Sequence, residues 1–289
     1  MVTFLTPELL DAGEFRRYSQ LQKTLLYEPG WHYALDVVWV IRQIRSVLVP
    51  PATVLDVGAG SGPLQFVLAS YGYNVLSVDL LRRDPSGFHR AYFKVHDRQA
   101  AEVESDYTQH LRARTAPFHF RFYTALRRRI RRGLVRGSSR ASRLADRREE
   151  HGSISLYASD ITRDRELLAR ADAVVSVSAL EHIPSIDQFQ SVMDAVLATN
   201  SPIAISTSAA RATTWWHKPS RGWCFGPQLL RRYGNTNDWQ GRYDQALSSL
   251  SASRYLRSHV PIYYRHNPNC GLPYGIWSPK YVPVGISGP

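Results

Sequence analysis

Residues 54–62 read VLDVGAGSG, and seventeen residues beyond Gly62 the run NVLSVDL places an acid at Asp79. Val54, Leu55 and Val57 form the apolar run of a buried parallel strand. Gly58, Gly60 and Gly62 let the chain turn sharply and bring bare backbone against a ligand. Pro63 suits the first position of a helix, where its missing N–H is no loss. The following LQFVLASYGY predicts a helix that stops at Gly72. Val75 to Val78 predicts a second strand, ending in a carboxylate. Strand, glycine turn, helix, strand and acid together form a nucleoside-binding unit. The acid is placed to accept both ribose hydroxyls, at about 1.5–3 kcal/mol for each hydrogen bond to a charged group.

The dinucleotide fingerprint G-x-G-x-x-G does not fit, because the third glycine comes one residue early and Pro63 takes its place. Asp56 also precedes the glycines inside the strand. D-x-G-x-G-x-G resembles the first motif of the class I S-adenosylmethionine-dependent methyltransferases. Three downstream features extend the resemblance. Asp79 matches the ribose-binding acid. ASDIT (158–162) resembles the segment whose aspartate, here Asp160, reaches the adenine amino group. DAVVSVSALEHI, from Asp172, is similar to the fourth-strand motif of the small-molecule, type 11-like branch and ends in Glu181-His182. The match covers about 54–210, and 30–80 is most similar to bacterial enzymes of glycan or secondary-metabolite pathways.

The resemblance implies an α/β fold, a Rossmann-like sheet with helices on both faces. It implies S-adenosylmethionine as cofactor and S-adenosylhomocysteine as product. The cofactor contacts it implies are Gly58, Ala59, Gly60 and Gly62 at the turn, Asp79 and Leu80 at the ribose, Asp160 and Ile161 at the adenine, and Ser178. Asp56 is placed to hold the cofactor's ammonium group, directly or through water. The start of the helix at Pro63 faces its carboxylate.

A chain of 289 residues can bury a full core in one large domain, or in one domain with an inserted piece. Its 44% hydrophobic and 21% charged residues are ordinary for a soluble globular protein. No cationic, apolar, small-residue start reads as a secretion signal, and no apolar run approaches the ~20 residues that span a bilayer. Cys224 and Cys270 are too few for a disulfide scaffold or a zinc site, so no metal is expected. The expected location is cytoplasmic. Residues 112–150 hold thirteen arginines, no lysine and three acids, so ten of the chain's twelve net positive charges lie there.

Residues 7–27 carry helical patterns, Glu28-Pro29-Gly30 breaks the chain, and Trp31 to Val47 predicts a helix with Leu35, Val38, Trp39, Ile41, Ile44 and Val47 near one face. By the resemblance, residues 1–50 are a helical cover over the cofactor and 51–289 the methyltransferase domain. About seventy residues separate Asp79 from Ile154-Ser155-Leu156-Tyr157, which marks an insertion at about 85–152. Within it, Phe118, Phe122, Leu126, Ile130 and Leu134 form a spiralled helical stripe. Ala173–Val177 is the fourth strand. A helix follows Pro184, with Phe189, Val192, Met193, Val196 and Leu197 facing inward, and 202–206 is the fifth strand. Residues 213–230 read as aromatic and irregular. Residues 244–256 read as a last helix, and 260–264 and 281–284 as two final strands at edge positions.

His182, just past the fourth strand, sits where ligands gather in an open α/β sheet, and its imidazole suits proton removal at neutral pH. The plain alternative is that Glu181 and His182 brace the next helix or line the pocket. His217, beside Trp215 and Trp216, is a second candidate base. The tryptophans of the region at about 209–230 fit a binding wall for a sugar, a ring or a lipid head, or equally core. The expected acceptor is a small molecule or glycan, methylated on oxygen.

Three readings fit residues 112–150: a basic amphipathic helix on an anionic membrane surface, serving a lipid-linked acceptor at the inner face; a nucleic-acid contact; or a helix packed on the sheet with a solvated charged face. SALEH stands where base-amino methyltransferases carry an Asn/Asp-Pro-Pro-aromatic tetrad, which argues against RNA or DNA. A non-catalytic cofactor-binding module that recruits a partner is the remaining alternative.

Overall fold

Apolar runs alternating with glycine and proline breaks fold as an α/β chain. The computed structural model describes residues 1–25, 27, 31–83, 87–99, 146–217, 221–258 and 279–288. In chain order the elements are β1 (Val2–Phe4), a 3-10 turn (Pro7–Asp11), α1 (Gly13–Leu25), α2 (Tyr33–Val47), β2 (Thr53–Val57), α3 (Leu64–Ser70), β3 (Asn74–Asp79), α4 (Gly87–Arg90), β4 (Lys94–Asp97), β5 (Ser153–Ala158) and α5 (Arg165–Ala169). Then follow β6 (Ala173–Val177), a 3-10 turn (Leu180–His182), α6 (Ile186–Leu197), β7 (Ile203–Ala209), β8 (Trp215–His217), β9 (Gly222–Cys224), α7 (Pro227–Leu230), α8 (Trp239–Ala252) and β10 (Val282–Gly288). The chain divides into two compact units: Met1–Tyr18, Pro29–Leu48 and Ala173–Pro289 in the first, Ser19–Glu28 and Val49–Asp172 in the second.

In the second unit the strands run β2-β3-β5-β4, all parallel. Val54 and Leu55 pair with Val75 and Leu76 across β2 and β3, and all four are buried, as strands covered on both faces require. α3 is seven residues long and ends before Gly72, whose φ of 93° stops it. The stop at Gly72 is the one expected from the sequence. Gly152, just before β5, lies so close to Tyr73 that a Cβ would stand 1.9 Å from the Tyr73 carbonyl oxygen. β4 falls in the stretch read as an insertion, and no strand was expected there. The apolar stripe of 118–135 lies outside the described residues, as does the strand expected at 260–264.

In the first unit the order is β1-β10-β7-β6, with β7 parallel to β6 and antiparallel to β10. α2 packs on β6, β7 and β10. It is buried nearly all round, from Ala34 to Ile41 and again at Ile44, as a helix apolar on most faces must be. Trp39 lies against β10 at Gly285, where a Cβ would stand 2.4 Å from the indole. Two expectations need correction. Val47, the last residue of α2, is 56% exposed, and Leu197, the last residue of α6, is 40% exposed. Both continue a stripe beyond the helix's contact with the sheet. Within residues 213–230, read as irregular, β8 and β9 pair antiparallel, Trp215 with Cys224 and Trp216 with Trp223, and α7 follows.

Candidate functional site

In the second unit the chemistry gathers where β2 and β3 end. Gly58 and Gly60 carry φ of 68° and 49°, the left-handed region that glycine enters without strain. The turn they make brings the Gly60 N–H to Asp79 Oδ2 at 2.8 Å, and Asp79 Oδ1 accepts from Leu81 N–H at 3.1 Å. The Ala59 N–H donates to the Val78 carbonyl at 3.0 Å, closing the turn onto β3. Asp56, Gly60 and Asp79 are thus brought together. Each Asp79 oxygen has a second lone-pair site, so the carboxylate keeps acceptor capacity for a diol.

Asp56 is 2% exposed. Burial pushes its carboxyl up to about 7, opposed by Arg83 and reinforced by Asp79. Asp160 accepts from both the N–H and the hydroxyl of Thr162 on Oδ1, at 3.0 and 2.7 Å, and its Oδ2 lies 3.6 Å from Arg163. Ile161 is buried beside it, and Leu80 is half-buried.

Arg83 escaped the sequence reading. Its Nη1 donates to the Gly60 carbonyl at 3.2 Å and to Ser77 Oγ at 2.7 Å, and its Nη2 to the carbonyls of Ser77 and Tyr157 at 2.5 and 3.1 Å. Gln99 clamps its main chain in both directions, at 2.6 and 2.7 Å. One guanidinium therefore ties the glycine turn to β3 and β5.

The remaining predicted residues lie in the first unit. Ser178, with φ of 46°, follows β6 and donates from Oγ to Asp36 Oδ2 at 3.3 Å. Glu181 is buried and accepts from Thr207 and Ser208 hydroxyls of β7, at 3.1 and 3.4 Å. Burial raises its carboxyl to about 7. His182 Nδ1 donates to the Arg221 carbonyl at 2.8 Å. Gly222 lets it sit there, since a Cβ would lie 3.1 Å from Nδ1. Trp223 Nε1 donates to the Ile183 carbonyl at 2.9 Å. His217 is buried against Trp215 and Tyr281, and burial together with Lys280 lowers its pKa.

A second omission is the pair His32 and Asp36, one helical turn apart at the start of α2. His32 Nδ1 lies 2.5 Å from Asp36 Oδ2, and the residues are 4% and 0% exposed. Burial favours the neutral imidazole, but the Asp36 charge, its hydrogen bond and the Glu181 charge outweigh it and raise the pKa. Among the described residues no group of three or more His, Cys, Asp or Glu side chains is placed to hold a metal ion.

A family model described as a methyltransferase domain matches residues 39–257, well over half of the chain. The chain belongs to that family and, as the glycine motif implied, is a class I S-adenosylmethionine-dependent methyltransferase domain. A search of curated proteins gave no match. Three solved structures illustrate the likeness. Coclaurine N-methyltransferase, bound to N-methylheliamine and S-adenosylhomocysteine, is 9% identical with a TM-score of 0.42, over 88% of this chain and 70% of its own. The 1,6-didemethyltoxoflavin-N1-methyltransferase of Burkholderia thailandensis is 14% identical with a TM-score of 0.40, over 97% and 87%. The [4+2]-cyclase SpnF is 11% identical with a TM-score of 0.44, over 90% and 82%.

Proposed function

We propose that this domain transfers a methyl group from S-adenosylmethionine to an oxygen of a small-molecule or glycan acceptor. The observation that carries the reading is the 2.8 Å hydrogen bond from Gly60 N–H to Asp79 Oδ2, which sets a ribose-accepting carboxylate directly on a glycine cradle.

The residues present fit the cofactor. Gly58 and Gly60 hold a backbone shape that side chains resist. Asp79 has lone pairs to spare for the ribose hydroxyls, with Leu80 beside it. Asp56, buried and near neutrality, gains a counter-charge when an ammonium group arrives. Asp160 and Ile161 are assigned to the adenine, Ala59 and Gly62 to the turn's backbone contacts, and Ser178 to the cofactor's methionine end. When bound, S-adenosylmethionine supplies an electrophilic methyl group on a sulfonium whose positive charge is neutralised on transfer. The chain's part is to hold the acceptor in line, worth up to roughly 7–11 kcal/mol in well-oriented models, and to keep water away from the charged ground state. His182 and His217 are the proton acceptors that the sequence puts forward. Both lie in the unit that carries β8 and β9.

Among the described residues no helix is long and apolar enough to cross a membrane. We place the reaction in the cytoplasm. The arginines of 112–150, which lie outside the described residues up to 145, are assigned to an anionic surface when the acceptor is lipid-linked.

Incubation with S-adenosylmethionine and a panel of phenols, sugars and polyprenyl-linked glycans, with S-adenosylhomocysteine release as readout, tests this. Turnover with hydroxyl acceptors is expected. Turnover confined to amines, or to RNA, would overturn the acceptor assignment.

A further inference from the structure

Beside the glycine turn of the second unit runs a chain of buried polar side chains. Gln65, in the first turn of α3, and Ser77, on β3, are 3% and 0% exposed. Gln65 Nε2 donates to the Gly62 carbonyl at 3.1 Å and, more weakly, to the Gly60 carbonyl at 3.5 Å. Its Oε1 accepts from Ser77 Oγ at 2.8 Å, and Ser77 Oγ accepts from Arg83 Nη1 at 2.7 Å. We propose that Gln65 and Ser77 are positioning residues of the cofactor site: with Arg83 they form a one-way chain of hydrogen bonds that holds the glycine turn in a single shape before the cofactor arrives. The proposal rests on the S-adenosylmethionine reading above.

Four observations carry it. First, every link has one possible polarity. An arginine only donates, so Ser77 Oγ accepts from Arg83 and sends its own proton to Gln65 Oε1. With its oxygen so engaged, the Gln65 amide turns its nitrogen to the glycine carbonyls, which only accept. The guanidinium at one end therefore sets the orientation of the amide at the other. Second, among the described residues the Gly62 carbonyl has no partner but Gln65, and the Gly60 carbonyl none but Gln65 and Arg83. The N–H groups of the turn are held separately, Ala59 by the Val78 carbonyl, Gly60 by Asp79 and Gly62 by the Ala59 carbonyl. The side-chain relay thus fixes the acceptors of a turn whose donors are fixed already. Third, glycine loses more conformational freedom on ordering than any other residue. A three-glycine turn left loose would be ordered only on binding, at a cost in affinity. Fourth, Ser77 stands between the buried Leu76 and Val78, where an apolar side chain would pack as well. A buried hydroxyl in an apolar strand is kept for its hydrogen bonds.

Gln65 and Ser77 act through the turn, and this separates their role from a merely structural one. Lost packing loosens the strands of the unit along with the turn. Lost positioning loosens the turn alone, in the free chain, and lowers affinity for the cofactor. A serial chain adds a second distinction. Cutting it at Ser77 or at Gln65 breaks the same connection, so the two losses do not add, whereas independent packing defects do.

Two measurements on the full chain test this. In residue-resolved hydrogen exchange without ligand, Gln65→Met should speed the Gly60 and Gly62 amides at least about tenfold and leave those of Leu55 and Leu76, in β2 and β3, within about threefold of wild type. In calorimetry with S-adenosylhomocysteine, Gln65→Met should lose at least about tenfold in affinity, and Ser77→Ala about fivefold. The double variant should lose no more than about twofold beyond Gln65→Met alone. Gln65→Glu, which keeps the size but when ionised has no proton to give the carbonyls, should fall with Gln65→Met at pH 8. If Gln65→Met does not fold, Ser77→Ala, which removes one hydroxyl, carries both expectations. Unchanged affinity in a folded Gln65→Met or Ser77→Ala, additive losses in the double variant, or exchange that rises equally in the turn and the strands overturns the proposal alone. Failure of wild type to bind S-adenosylhomocysteine overturns the methyl-transfer reading beneath it, while the exchange of the free chain still decides whether the relay holds the turn.

Discussion

Arg83 reaches back over the glycine turn to donate to the Gly60 carbonyl at 3.2 Å while the same guanidinium holds Ser77 and Tyr157. The turn is therefore fastened twice, by Asp79 on the Gly60 N–H and by Arg83 on the Gly60 carbonyl. Arg83→Met keeps much of the stem's packing but strands those acceptors. It should destabilise the chain by about 2–4 kcal/mol and weaken S-adenosylhomocysteine binding at least tenfold. Urea unfolding and calorimetry check both. Arg83→Lys should rescue little, because an ammonium cannot replace the planar fork.

Asp56 links stability to pH. Its carboxyl rises from an ordinary 3.8 to about 7 in the folded chain, so between those values the folded state binds more protons than the unfolded one. Stability from this group falls as pH climbs through the window. Asp56→Asn escapes that loss. The variant should match wild type near pH 4 and gain about 3–4 kcal/mol above about pH 7. Denaturant curves at the two ends of the window decide it, and equal differences at both ends would count against the buried acid.

The same carboxyl should release a proton when an ammonium-bearing cofactor binds, because the incoming positive charge lowers its pKa. Calorimetry of S-adenosylhomocysteine binding near pH 7, in buffers of different ionisation enthalpy, should report net proton release. Asp56→Asn should abolish most of it.

Gly285 gives room to the Trp39 indole, which a Cβ would approach to 2.4 Å. Gly285→Ala should destabilise by about 1–3 kcal/mol, measured by thermal or chemical unfolding, and leave S-adenosylhomocysteine affinity within a few-fold. Double substitution with Trp39→Leu should recover part of the loss.

Much of the fold was legible because its signals are local and strong. The mostly apolar runs at 54–57, 75–78 and 173–177 became β2, β3 and β6 because strands buried on both faces are predominantly apolar, with only Asp56, Ser77 and Ser176 as buried polar positions. The sequence placed the glycine turn and Asp79 beside one ligand, but the hydrogen bond from Gly60 N–H to Asp79 came only from the structure. β4 was invisible for the opposite reason. Lys94-Val95-His96-Asp97 is a half-exposed edge strand with no apolar pattern. Arg83 and Arg82 are neighbours of one type, yet Arg82 lies on the surface 3.8 Å from Asp97 while Arg83 is turned inward, and nothing local distinguishes them. His32 and Asp36 do carry a signal, an i, i+4 pair on an otherwise apolar helix, but its meaning depends on Ser178 and the rings of distant segments. Val47 and Leu197 show the limit of periodicity, which gives a face but not where the neighbouring sheet stops.

The central claim is that the glycine cradle and Asp79 grip an adenosine-bearing cofactor. Calorimetry of S-adenosylhomocysteine with wild type and Asp79→Ala tests it most directly. Wild type should bind saturably at one site per chain, and the variant should lose at least tenfold in affinity. An unchanged affinity in Asp79→Ala, or no binding to wild type, would contradict the account.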